Sequence, residues 1–234
     1  MIALIKEIPK ITPNVALAKI LCHHTAYGKY EKIALFWAQY DENNRTTAVI
    51  SLVDNVCTLY FDNGDTDEMA SFLHMLSPRG VFTDKATAEL LKLKVVTDCT
   101  VLLKKPPHEN PNKIENVYRG VLYVCDVLSE RLNIEDKQAL YADIVHRINH
   151  GCAATVASDS SAAAIIYSDN IAVINGIAVK ENMSSKGLGS ATLNRLLECV
   201  RARDVFVCAE AHNVPFYIKN GFEKIDLAAY CRLK

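Results

Sequence analysis

Long apolar runs, clustered basic residues and paired cysteines are all missing from this sequence of 234 residues, and each absence removes a class of function. No segment approaches the roughly 20 consecutive apolar residues that cross a bilayer. The opening Met1-Ile2-Ala3-Leu4-Ile5-Lys6 is too short and too soon interrupted for a secretory signal. A cytoplasmic chain without a membrane partner is therefore expected. Lys and Arg run no further than pairs such as Lys104-Lys105, and the formal net charge is −1. Nothing offers a track for polyphosphate, so nucleic acid is not an expected partner. The eight cysteines (Cys22, Cys57, Cys99, Cys125, Cys152, Cys199, Cys208, Cys231) stand singly, without a Cys-x-x-Cys pair. They fit neither a disulfide framework nor a zinc site and read as reduced, small apolar residues. His23-His24 are helix neighbours that diverge by about 100° and have no carboxylate or cysteine cluster beside them, so no metal is expected.

What is present suits a sizeable core: 50% of the residues are apolar and 23% charged. Three of the seven prolines fall within Pro106 to Pro111, in an otherwise polar stretch that neither a helix nor a central strand accommodates. Residues 104–113 accordingly read as a linker between residues 1–103 and 114–234.

In the first half, Thr12 followed by Pro13 predicts a helix start, with Leu17, Ile20, Leu21 and His24 along one side as far as Gly28. Strands are predicted at Ile33–Tyr40, Thr46–Val53 and Val56–Phe61, then a helix from Thr66 that ends before Pro78. A strand at 81–83, a helix over 84–92 and a strand at Val95–Leu103 follow. The second half is predicted as a strand at Val117–Val127, a helix capped by Asn133 and stopped at Gly151, and strands at Ala153–Ala157, Ala162–Tyr167 and Ile171–Val179. Beyond the loop 184–190 come a helix carrying Leu193, Leu196, Leu197 and Val200, a strand at Val205–Ala209, a short helix from Asn213 stopped at Gly221, and a last strand from Phe222. The two halves thus repeat helix, three strands, helix, strand, helix, strand, as an internal duplication would.

Two stretches carry chemistry. In the first, a strand ending Ile177-Ala178-Val179 runs into Ser184-Ser185-Lys186-Gly187-Leu188-Gly189-Ser190, which opens a helix. Glycines there permit close approach of backbone, the first helix amides lack internal acceptors, and the helix dipole favours an anion, so the turn suits a pyrophosphate. Lys186 adds a cation. Gly-x-Gly before a helix is weak by itself, because many such junctions use glycine only to turn. The second stretch is Val205–Ala209 followed by Asn213-Val214-Pro215-Phe216-Tyr217 and Gly221-Phe222. Its structural explanation is a helix cap, core aromatics and a helix stop.

Taken in order, the two stretches resemble the acetyl-CoA-binding motif of the GNAT superfamily of acyl-CoA N-acyltransferases, Arg/Gln-x-x-Gly-x-Gly/Ala, and the family's later Asn and Tyr-x-x-x-Gly-Phe. The resemblance covers residues 115–234. Ser184 departs from it, standing where the family usually carries Arg or Gln; because the cradle is mainly backbone, weakened rather than abolished binding is expected, with Lys186 a partial substitute. The resemblance implies an α/β (α+β) fold of two tandem GNAT-like domains, each a mixed, largely antiparallel sheet flanked by helices. It implies acetyl-CoA held by Ile177, Ala178, Val179, Ser184, Ser185, Lys186, Gly187, Leu188, Gly189, Ser190, Asn213 and Tyr217. The acyl group would pass to a primary amine of a small molecule, amino acid or peptide by direct attack. Tyr217 would protonate the departing sulfur. Glu210 is a candidate base, with Glu181, His212 and Asp126 as others. A non-catalytic acyl-CoA-binding regulator of the same fold is the alternative, and homodimerisation is left open.

In the first half, the counterpart of the phosphate loop is Asp62-Asn63-Gly64-Asp65-Thr66-Asp67-Glu68. Each pair of like charges at ~4 Å repels by about 1 kcal/mol in water and about 4 at an effective dielectric of 20. Helix-dipole attraction of about 0.3–1 kcal/mol does not offset four carboxylates. Residues 83–103 also hold no tyrosine. A degenerate first domain without a cofactor site is expected.

Overall fold

The structure, a computed structural model, describes residues 1–106, 120–183, 186–200 and 203–233. The chain forms two compact units, and neither is a continuous half of the sequence. One comprises Met1–Leu102 with Cys208–Val214 and Lys224–Lys234; the other comprises Leu103–Val207 with Pro215–Glu223.

The first unit is built on a mixed sheet. Strands β1 (Ile2–Leu4), β2 (Ala34–Tyr40), β3 (Thr46–Val53) and β4 (Val56–Phe61) pair antiparallel in succession. Strand β5 (Gly80–Asp84) runs parallel to β4. Beside it lies not the next strand in sequence, β6 (Lys94–Lys104), but β11 (Glu223–Arg232), antiparallel to β5 with Ala228 opposite Asp84 and Cys231 opposite Val81. The order is β1-β2-β3-β4-β5-β11-β6. Helix α1 (Val15–Tyr27) is buried at Val15, Ala16, Leu17, Ala18, Ile20 and Cys22, so it is covered nearly all round rather than along one stripe. Its cap is Asn14, whose side chain accepts from the Leu17 amide at 3.0 Å; Thr12 lies outside the helix. Helices α2 (Thr66–Leu76) and α3 (Lys85–Leu90) complete the unit. Met69, Leu73, Ala88, Ile50, Leu59, Ala229 and Cys231 form one fully buried cluster, so the C-terminal strand is part of the first unit's core.

The second unit is built on four strands. Strands β7 (Ala153–Ser158), β8 (Ser161–Tyr167) and β9 (Ile171–Val179) form an antiparallel meander, and β10 (Asp204–Ala209) runs parallel to β9. The strand expected at Val117–Val127 is instead a helix from its first described residues, α4 (Val121–Leu132). Val121, Val124, Cys125 and Leu128 are buried at three- and four-residue spacing, and this period outweighs the strand preference of β-branched side chains. Residues 117–119 of that expectation lie outside the described residues. Asn133 does not cap the following helix; it is the left-handed residue that ends α4, at φ 52°. Helix α5 (Lys137–Asn149) is capped by Asp136, which accepts from the Ala139 amide at 2.8 Å. Helix α6 (Leu188–Glu198) and helix α7 (Val214–Lys219) follow β9 and β10.

A Cβ on Gly176 of β9 would meet Leu128 and Leu132 of α4, whereas Val179 lies against the start of α6. Residues of opposite parity on one strand point to opposite faces, so helices cover both sides of this sheet. The nearly complete burial of β8 follows.

Candidate functional site

The parallel ladder between β9 and β10 registers Asp204 with Ile171, Val205 with Ala172 and Phe206 with Val173. Strand β9 continues to Val179 beyond these partners. Its opposite edge stays paired with β8 as far as Val179 opposite Ser161. Among the described residues, the β10-facing edge of β9 is therefore open over Ile174–Val179, and backbone groups there are available to an extended ligand. A register shift between Ala164 and Ile165 leaves Asn175 as an extra residue in β9. Sequence reasoning passed over this bulge. Its signal was an Asn-Gly pair inside an otherwise apolar strand, since glycine in a strand interior commonly marks a bulge.

Strand β9 feeds a short 3-10 turn at Glu181–Met183 and then the glycine loop. Gly187 sits at φ 78° as the residue before α6, and no side chain caps the helix. Leu188, Gly189 and Ser190 open the first turn, whose amides point away without intrahelical acceptors. The first helical bond runs from the Ala191 amide to the Gly187 carbonyl at 3.1 Å. Gly189 is packed closely: a Cβ there would lie 3.2 Å from the Phe216 ring and 3.6 Å from Val179. The strand end, the loop and α7 thus converge on Gly189. Lys186 is exposed, with Nζ 3.5 Å from the Met183 sulfur. Ser184 and Ser185 lie outside the described residues. Thr192 Oγ1 is 2.6 Å from Ser161 Oγ, a buried contact that ties α6 to β8, and Ser161 Oγ is 2.7 Å from Oγ of the exposed Ser158.

Tyr217 is 6% exposed and packs edge-on against Phe216 and Phe222, with centroids at 5.0 and 5.5 Å. Its carbonyl accepts from the Phe222 amide at 3.1 Å, across the turn at Gly221, where φ is 81°. Lys104 closes the same turn by donating to the Asn220 carbonyl at 2.7 Å. Asn213 and Glu210 are exposed; the Asn213 amide donates to the Glu210 carbonyl at 2.9 Å, and the Glu210 carboxylate is 3.5 Å from His212 Nδ1. The two other candidate carboxylates pair with surface cations, Glu181 with Arg131 at 3.8 Å and Asp126 with Lys137 at 2.6 Å.

The same position in the first unit is closed. The β4–β5 ladder also stops early, at Thr58 opposite Phe82. There, Thr83 Oγ1 donates to the Leu59 carbonyl at 2.8 Å and occupies the strand edge. The start of α2 is capped by Asp65, which accepts from the Asp67 and Glu68 amides at 3.0 and 2.9 Å. Those amides are already used, and by an anion.

The sequence matches no family profile and no curated protein. Solved structures do match. A GNAT-family acetyltransferase from Colwellia psychrerythraea aligns over 100% of both chains at 12% identity and TM-score 0.52. A tandem GNAT protein of the clavulanic acid biosynthesis pathway aligns over 88% of this chain and 86% of its own, at 11% identity and TM-score 0.54. A GCN5-related N-acetyltransferase from Sphaerobacter thermophilus aligns over 92% and 90%, at 12% identity and TM-score 0.53.

The chain has the GNAT fold. It is a tandem form, consistent with the repeated order of elements read from the sequence. Of the two GNAT-like units, the second has the open strand edge and uncapped helix start, while the first has both filled by its own side chains. No helix among the described residues is long and apolar enough to cross a membrane.

Proposed function

We propose that the chain is an acyl-CoA-dependent N-acyltransferase that moves an acetyl or other short acyl group to a primary amine. The observation that carries this reading is the open edge of β9 leading into the uncapped start of α6 at Gly187. An extended pantetheine arm fits the first, and a pyrophosphate the second. A Cβ on Gly189 would press on the Phe216 ring at 3.2 Å, so glycine lets the strand end, the loop and α7 pack closely there.

An acyl-CoA supplies an activated thioester carbonyl and a thiolate leaving group. In this reading, Ile177, Ala178 and Val179 offer backbone groups to the arm, and one amide among them polarises the carbonyl. The loop from Ser184 and Ser185 through Lys186 to Ser190 holds the phosphates, and Asn213 bonds to the co-substrate. As the amine nitrogen bonds to the carbonyl carbon and the carbon–sulfur bond breaks, Tyr217 gives its proton to sulfur and Glu210 takes one from nitrogen. The acceptor is a small-molecule, amino-acid or peptide amine.

A second reading, a non-catalytic acyl-CoA-binding regulator, is favoured by the packing of Tyr217 between two phenylalanine rings and by Ser184 in place of Arg or Gln. Acetyl-CoA titration followed by measurement of CoA release over a panel of amines separates the two. Saturable binding with amine-dependent release supports transfer. Saturable binding without release across the panel supports the regulator, and absence of binding sinks both.

A further inference from the structure

Helix α7 spans only Val214–Lys219, and so short a helix depends on its surroundings to keep its shape. The residues that follow close its last turn. The Asn220 side chain donates to the Phe216 carbonyl at 2.7 Å, and the Asn220 and Phe222 amides both donate to the Tyr217 carbonyl, at 3.0 and 3.1 Å. The Gly221 amide donates to the Ile218 carbonyl at 3.0 Å. The Asn220 carbonyl takes its donor from 116 positions away: the half-buried Lys104, at the end of β6, whose Nζ is 2.7 Å distant. Lys104 and residues 215–223 belong to the same compact unit.

The same ammonium has two further contacts at this turn. Gly221 is at φ 81°, and a Cβ there would lie 3.3 Å from Lys104 Nζ, so the glycine both makes the left-handed stop and leaves room for the cation. Nζ also lies 5.8 Å from the centre of the Phe222 ring, within cation–π range. Phe222 is buried and packs edge-on against the Tyr217 ring at 5.5 Å. Two routes thus lead from Lys104 to Tyr217, one through the Asn220–Phe222 backbone to the Tyr217 carbonyl and one through the Phe222 ring to the phenol ring. A cation beside the last carbonyls also complements the helix dipole. A general acid works only within hydrogen-bond reach of the atom it protonates, so the orientation of α7 and of its ring matters to the chemistry.

We propose that Lys104 is a positioning residue for Tyr217: it pins the turn that ends α7 and, through that turn and the Phe222 ring, holds the phenol in one orientation. This role rests on the reading of Tyr217 as the general acid, and it falls on a residue outside both sequence motifs. Lys104 acts through α7 rather than on the reacting atoms.

Isotope-labelled tyrosine in the full chain gives an NMR ring signal for Tyr217, assigned by its loss in Tyr217→Phe, and amine acylation kinetics are followed in parallel. Lys104→Met, which keeps the stem and removes the ammonium, should shift or broaden the Tyr217 signal while Tyr40 and Tyr60 of the first unit keep theirs. It should lower kcat about tenfold or more with KM for the acyl-CoA nearly unchanged. Lys104→Arg, which restores a charge and a donor, should recover most of that loss. On top of Tyr217→Phe, Lys104→Met should cost little more, because a residue that acts through the phenol then has nothing left to orient. An unchanged Tyr217 signal, native kcat in Lys104→Met, or a loss that adds in full to that of Tyr217→Phe overturns the proposal. Absence of transfer by the native chain sinks the general-acid reading instead, and the ring signal then decides by itself whether Lys104 orients Tyr217. Should Lys104→Met fold poorly, Lys104→Gln is read the same way.

Discussion

Glu68 joins three parts of the first unit. Its carboxylate accepts from the Ile2 amide at 3.0 Å and from Gln39 Nε2 at 2.8 Å, with the Met1 amino group at 3.0 Å. Desolvation pulls this carboxyl upward, but the hydrogen bonds from Gln39, the amino group and Ile2 overcome it and hold it below the usual carboxylate range. A depressed folded-state value contributes stability that is present above the unfolded value of about 4.3 and is lost as pH falls through the folded value. Glu68→Gln should therefore cost about 1 kcal/mol at pH 7, a modest figure because the side chain is partly solvated, and less near pH 3, below the unfolded value. Urea unfolding at the two pH values measures the difference; an equal cost at both would refute the assignment. At Tyr217 the expected outcome is kinetic. If its phenol serves as general acid, Tyr217→Phe should reduce kcat/KM about 10²-fold or more with acetyl-CoA affinity nearly unchanged. A variant with native turnover would remove Tyr217 from the reaction.

Helices α2 and α6 follow equivalent strands and differ at their first turns. Asp65 accepts two amides at the start of α2, whereas Gly187 offers no side chain at the start of α6. Asp65→Ala should cost about 1 kcal/mol of stability, as loss of a cap does, and should leave acetyl-CoA binding as it was. Gly189→Ala should do the reverse: its methyl meets Phe216 at 3.2 Å, so acetyl-CoA affinity should fall about tenfold or more while circular dichroism shows an intact fold. Unchanged affinity would move the pyrophosphate away from this loop. The contrast was half legible in sequence. The acidic residues around Asp65 were visible, but the Thr83 hydroxyl on the Leu59 carbonyl was not, because residues separated by two dozen positions are brought together only by the β4–β5 pairing. The bulge at Asn175 and the helix at Val121–Leu132 were missed for a similar reason: local preference favoured a plain strand, and packing decided otherwise.

At the scale of the whole chain, β11 is decisive. It pairs with β5 and contributes Ala229 and Cys231 to the first unit's core, although it is last in sequence. A fragment of residues 1–106 should therefore lack a cooperative thermal transition by circular dichroism; a sharp transition near that of the intact chain would show that β11 is dispensable. Acetyl-CoA should bind at one site per chain, since Asp65 and Thr83 fill the first unit's counterpart, and calorimetric titration with two equivalent sites would overturn that asymmetry. The sequence by itself determined the repeated order of elements, the glycine loop before α6 and the tyrosine in α7, because these rest on local periodicity, turn chemistry and motif spacing. Only the tertiary structure decided which strand completes which sheet, where the β9 edge opens and which helix start stays uncapped, because these depend on pairings between residues far apart in the chain.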